Sequence, residues 1–188
     1  MPFSNRITRR SLLQQAAAAG ALLVIDGFAS RRARANDLRV GRRAPPATLV
    51  QLDGRRVSTT DLMGHVVILT FWATWCAPCR EELPLLSDYA ARHAAQGLTV
   101  LGFCLDTPDK LPEVSRIAQS LSFPVGLFAA STAPGYGRIW KLPVNFTIDR
   151  QGVLIHDGWK DKNPVWTADR LDQVVTPLLD ARPPAEGN

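Results

Sequence analysis

This chain has few of the residues from which metal centres are built. Its 188 residues include three cysteines and three histidines. A zinc site takes four protein ligands, or three and a water. Beyond the pair Cys76 and Cys79 there remain Cys104, His65, His93 and His156, none at ligand spacing, so no metal and no other cofactor is expected. A usable net charge is also missing, although the full chain carries +5. Six of its 22 basic residues (Arg6, Arg9, Arg10, Arg31, Arg32, Arg34) and one of its 17 acidic ones (Asp26) lie in the first 35 positions, which leaves 16 of each sign after them. No basic stripe is left to hold a nucleic acid, and none is expected as a partner. Long apolar runs are absent as well. The mild stretch Leu12 to Ile25 is shorter than the ~20 residues of a membrane span. There is no internal repeat and no long linker, and residues 36–188 suffice for one domain with one core.

What the first 35 residues do contain reads as a targeting segment. Paired arginines in Thr8-Arg9-Arg10-Ser11-Leu12-Leu13 precede a mild, alanine-rich apolar core, and Ala33-Arg34-Ala35 offers small residues to a signal peptidase. The adjacent arginines fit a twin-arginine export signal better than the general secretory route. The alternative is an uncleaved N-terminal anchor.

The centre of the chain is Phe71-Trp72-Ala73-Thr74-Trp75-Cys76-Ala77-Pro78-Cys79-Arg80-Glu81-Glu82. The β-branched run from Val66 to Phe71 predicts a buried strand, and a helix is expected from about Pro78 to Ala95. The two cysteines therefore stand where a strand ends and a helix begins. Free backbone N–H groups and the helix dipole favour a thiolate there, and the thiolate is the nucleophile of disulfide exchange. Pro78 suits a first helical turn, where no backbone donor is needed. A purely structural disulfide would need neither the two tryptophans nor the helix start. Redox catalysis is the expected chemistry.

Trp72-Ala73-Thr74-Trp75-Cys76-Ala77-Pro78-Cys79 resembles the active-site segment of the thioredoxin superfamily. The branch it is most similar to is that of the exported thiol–disulfide oxidoreductases of the TlpA, ResA and DsbE (CcmG) kind, and the likeness runs from about Gly41 to Leu179. The resemblance implies an α/β fold, a thioredoxin-like sandwich with a central mixed sheet flanked by helices, an N-terminal β-hairpin and a central insertion. It implies that Cys76 attacks and Cys79 resolves through a redox-active disulfide. It makes Pro143 a cis-proline facing the pair, with Leu142, Trp75 and Pro78 shaping the groove for a partner. The carboxylate this branch carries three residues after the second cysteine falls on Glu82. Thr70, which stands where thioredoxin has a buried acid, leaves that role vacant, and a spacing of three puts Glu82 on the side of Cys79. A solvated first-turn acid is the plainer reading of Glu82. Asn145 stands where relatives more often have threonine, a departure expected to bear on partner choice and not on the chemistry.

The implied function is thiol–disulfide exchange outside the cytoplasm, in the periplasm, by a monomer acting on protein thiols and disulfides. The implied direction is reduction, with electrons from a membrane thiol carrier of the DsbD/CcdA kind, in cytochrome c maturation or copper-site assembly. A disulfide donor would use the same residues, and a copper metallochaperone is the non-enzymatic alternative. A thiol peroxidase is disfavoured, because its Pro-x-x-x-Thr-x-x-Cys setting is absent.

The rest of the chain supplies the frame. Strands are expected over Ala47–Leu52 and Arg55–Ser58 about an Asp53-Gly54 turn, over Leu98–Leu105, over Phe123–Phe128, and over Val144–Ile148 paired with Val153–Asp157. Helices are expected over Lys110–Leu121, Ala133–Trp140 and Pro164–Leu179, with Trp166 and Leu171 inward. Cys104 reads as a small core hydrophobe. His156 reads as partly exposed sheet surface, and His93 as a surface or capping residue.

Overall fold

The computed structural model describes residues 38–181. The expected signal, its cleavage site and the C-terminal stretch 182–188 lie outside that range. Among the described residues no helix is long and apolar enough to cross a membrane.

The hairpin pairs β1 (Thr48–Val50) with β2 (Arg56–Ser58). The Gly54 N–H closes its turn on the Gln51 carbonyl at 2.9 Å, with Gly54 at φ 86°. The main sheet has five strands, β3 (Val66–Trp72), β4 (Leu98–Cys104), β5 (Val125–Leu127), β6 (Val144–Ile148) and β7 (Leu154–Asp157), in the order β5-β4-β3-β6-β7. β3 runs parallel to β4 and antiparallel to β6, and all seven of its residues are buried, as a strand covered on both faces requires. The hairpin lies against β5, where a Cβ on Gly126 would meet the Val50 carbonyl oxygen at 1.9 Å. Only glycine fits there.

Alternation along β3 sorts the core into two layers. Val66, Ile68 and Trp72 join Leu83, Leu86 and Tyr89 of α1 (Ala77–His93), Val114 of α2 (Leu111–Ala118), Leu171 of α3 (Ala168–Val174) and Leu179 of α4 (Thr176–Asp180). Val67, Leu69 and Phe71 join Phe103, Phe146, Tyr136 and the hairpin's Leu49. Phe71 stacks on Phe103 at 4.9 Å and meets Phe146 edge-on at 5.9 Å. The inserted helix is α2, between the parallel strands β4 and β5.

Two expected helices differ. Ala133–Trp140 forms none, because Gly135 and Gly137 take φ of 95° and 82°, which a helix cannot contain. It is an irregular segment pinned by the Tyr136 hydroxyl, which donates to the Pro45 carbonyl at 2.9 Å. The Pro164–Leu179 helix starts only after Thr167, whose hydroxyl accepts from the Arg170 N–H, and it divides at Val175 before Pro177. Within α1 the helix continues through Pro84, which denies the Arg80 carbonyl its ordinary donor.

Candidate active site

β3 delivers the chain to the open end of the sheet, and α1 leads it away. Between them the turn is held tightly. The Leu105 N–H donates to the Trp72 carbonyl at 2.8 Å, and the Cys76 N–H to the Ala73 carbonyl at 3.1 Å. The buried Asp106 carboxylate accepts from the Thr74 N–H at 2.7 Å and from the Thr74 hydroxyl at 3.1 Å. Cys76 thereby sits at the cap of α1, its sulfur accepting from the Cys79 N–H at 3.3 Å. Cys76 and Cys79 are joined as a disulfide with Cα atoms 5.3 Å apart. Cys76 is 5% exposed and Cys79 1%. Once the pair is reduced, the N–H groups at the helix start favour the Cys76 thiolate.

Outside the pair lies an open groove of about 480 Å³, lined by Trp75, Cys76, Pro78, Leu142 and Trp140 among others. The Leu142–Pro143 peptide is cis. Trp75 is 70% exposed and Trp140 74%, and these two bound a surface otherwise made of smaller apolar groups. Trp140 stacks on Trp159 with centroids 5.6 Å apart, and the Lys141 amine lies 6.0 Å from its ring. Trp140 escapes notice in the sequence because it falls in a segment expected to be helical.

One helical turn after Cys79 on α1 is Glu82, 1% exposed, so it is not a solvated helix-end acid. Its Oε2 accepts from the Trp166 N–H at 2.6 Å, and the Asn145 side-chain amide donates to Oε1 at 3.0 Å and to Oε2 at 3.2 Å. The Thr70 hydroxyl stands 3.5 Å from Oε1. Burial pushes the Glu82 carboxyl up to about 7, against the pull of these donors and of the Arg170 charge. Asn145 thus faces the buried acid. Its side chain, expected to bear on partner choice, is fully buried on the α1 side of the sheet, opposite Thr70 in the ladder.

His156 lies on β7 at a partly exposed position, as expected. Its side chain is 11% exposed, with Nε2 2.7 Å from Asp161 and 2.9 Å from Arg170, and its ring packs 5.1 Å from that of Trp166. Burial holds its pKa below the usual histidine range, against the opposing Asp161 charge. The cluster fastens the segment that brings the Trp166 N–H to Glu82. Cys104 is a core residue whose thiol donates to Asp106 at 3.1 Å, and burial pushes it up to about 12. His93 is half-buried and bonds Gln96 at the end of α1.

A strand-to-helix Cys-x-x-Cys disulfide on a mixed five-stranded sheet, with a cis-proline loop beside it, defines a thiol–disulfide oxidoreductase of thioredoxin-like fold. The chain belongs to the AhpC/TSA family, whose pattern matches residues 40–157. It is 31% identical over 156 residues to the thiol-disulfide oxidoreductase ResA of Geobacillus thermodenitrificans, covering 82% of this chain and 87% of that one. It is 28% identical over 118 residues to ResA of Bacillus anthracis, covering 63% and 68% respectively. Among solved structures, a thioredoxin-family thiol:disulfide interchange protein from Chlorobium tepidum aligns with a TM-score of 0.60 at 26% identity, covering 76% of this chain and 99% of that one.

Proposed function

We propose that this protein is exported and reduces disulfides in specific partner proteins. The observation that supports this best is a buried acid, Glu82, one helical turn after Cys79 on α1, whose burial raises its proton affinity toward neutrality. In the first step the Cys76 thiolate attacks the partner's disulfide. A bond forms between Cys76 and one partner sulfur, the partner's S–S bond breaks, and its other sulfur leaves as a thiolate that takes up a proton. In the second step Glu82 accepts the Cys79 proton, and the Cys79 thiolate attacks Cys76. The Cys76–Cys79 bond forms, the mixed disulfide breaks, and the partner departs with both sulfurs reduced. Trp75, Pro78, Leu142 and Pro143 shape the groove in which the partner chain lies.

The paired arginines Arg9-Arg10 support export, with the domain working as a soluble periplasmic monomer recharged by a membrane thiol carrier of the DsbD/CcdA kind. The fitting partners are the Cys-x-x-Cys-His segments of apocytochromes c and the cysteine pair of a copper site. The test is stopped-flow reaction of the reduced domain with oxidised peptides of both types and with oxidised glutathione. Peptide reduction at least tenfold faster than glutathione reduction is the expected result. Equal rates, or net oxidation of the reduced peptides by the disulfide form, would overturn the assignment.

A further inference from the structure

Asn145 is an expensive residue in its place. It is fully buried on the central β6, and its Oδ1 has no hydrogen-bond partner. An unmet buried acceptor destabilises a core, so the amide must be retained for its other end. That end is fully occupied: Nδ2 reaches both oxygens of Glu82 at 3.0 and 3.2 Å and the Pro164 carbonyl at 3.1 Å. One side chain therefore ties together α1, the loop before α3 and the strand that begins directly after Pro143. The backbone of Asn145 is fixed from the other side. A Cβ on Gly158 would come within 2.3 Å of the Asn145 carbonyl oxygen, so that segment presses closely against β6.

An amide NH2 donates and cannot accept. With Asn145 and the Trp166 N–H both donating to the carboxylate, neither can receive a hydrogen from a protonated Glu82. The acid hydrogen is left to the Thr70 side of Oε1, so these two donors favour the charged form against the burial that disfavours it. We propose that Asn145 is a positioning residue for disulfide resolution, holding Glu82 as a carboxylate oriented to accept the Cys79 proton. This rests on the role of Glu82 given above and deepens it. It also ties the acid to the partner site, because Leu142 and Pro143 immediately precede the strand that carries Asn145. Besides Cys79, one turn earlier on α1, the titratable and charged groups nearest Glu82 are Arg170 of α3 and the two groups paired with it, Asp161 and His156, the last packed on the Trp166 ring. None of these is altered by a change at Asn145 alone.

The test isolates the second chemical step. Reduced protein is treated with a chromogenic aromatic disulfide so that Cys76 carries the aromatic thiol, and its release by Cys79 is followed from pH 5 to 9 in rapid mixing, on the order of one trace per half unit. The variants are Asn145→Leu, Asn145→Thr, Glu82→Gln and the Asn145→Leu/Glu82→Gln double variant, with circular dichroism and thermal unfolding recorded for each. Asn145→Leu is expected to slow release about tenfold near neutral pH and to move the rising limb up by about one pH unit, the loss of one hydrogen bond to a charged group. Asn145→Thr, which keeps a shorter donor, is expected to recover part of the shift, and it serves alone if the leucine variant does not fold. In the Glu82→Gln background the change at Asn145 is expected to have no further effect. An unshifted profile in folded Asn145 variants, with Glu82→Gln slow, would overturn the role of Asn145 and leave that of Glu82 standing. Unshifted profiles in Glu82→Gln and Asn145→Leu alike would overturn both. A shift at Asn145 that persists without Glu82 would show that the residue acts by another route, and would overturn the proposal as well.

Discussion

Replacing Glu82 by glutamine gives the sharpest view of the buried acid. Burial moves its carboxyl from 4.5 to about 7. Between those values the native protein keeps a proton that the unfolded chain has released. The contribution of Glu82 to stability is therefore complete below pH ~4.5, declines as the pH rises, and is lost above pH ~7. At 1.36 kcal/mol per unit, the decline amounts to about 3 kcal/mol. Because Glu82 is 1% exposed, solvent screening does not reduce it. Glutamine has no proton to lose, so its contribution is flat across the same range. The amide also sets one donor against another at the Trp166 N–H or the Asn145 amide, a cost of ~1–3 kcal/mol that does not vary with pH. The slope, not the offset, is the diagnostic. Urea unfolding of the disulfide form at half-unit steps from pH 4 to 8 keeps both cysteines out of the titration. The stability of Glu82→Gln relative to the parent should rise by about 3 kcal/mol across that range. Parallel curves, within about 0.5 kcal/mol, would refute a buried acid titrating near neutrality.

Other perturbations read other parts of the structure. Arg150 is buried and donates to the carbonyls of Gly64, Gln96 and Leu179 at 2.8, 2.8 and 2.9 Å, so Arg150→Met should cost about 2–4 kcal/mol in chemical denaturation; a loss under ~1 kcal/mol would show those carbonyls find other donors. Gly158→Ala places a methyl group 2.3 Å from the Asn145 carbonyl oxygen and should lower stability by about 1–3 kcal/mol, measured by thermal unfolding; an unchanged midpoint would mean that the two segments separate freely. Trp140→Ala should leave stability unchanged within ~0.5 kcal/mol and slow reduction of a peptide disulfide several-fold, while reaction with a small disulfide keeps its rate; equal effects on both substrates would remove Trp140 from the partner groove.

The redox pair was legible because local rules decide it. A β-branched run, a Cys-x-x-Cys and a proline suited to a first turn fix a strand-to-helix junction without knowledge of the rest of the chain. The spacing of Glu82 from Cys79 likewise follows from helix geometry, and so does the Asp53-Gly54 turn. Neighbours brought by distant segments were not legible. The Trp166 N–H reaches Glu82 across 84 residues of sequence, and the His156 cluster is part-buried against the same closing segment. Asn145 is an intermediate case. Two residues beyond a proline held to face the cysteine pair, strand alternation places it on the same side, which points at the acid rather than the partner. The helix expected over Ala133–Trp140 fails on Gly135 and Gly137, whose positive φ a helix cannot contain. The direction of electron flow belongs to none of these signals, since reductant and oxidant use the same side chains.

That direction is the central claim, and the reduction potential of the Cys76–Cys79 pair tests it most directly. The residue 36–188 domain would be equilibrated with glutathione or dithiothreitol buffers at pH 7, and the dithiol fraction read by alkylation and mass. A potential near the ~−270 mV of thioredoxin is the expected result, and it fits a reductant that draws electrons continually from the membrane. A potential approaching the ~−120 mV of a strong disulfide donor would contradict it and make the protein an oxidant.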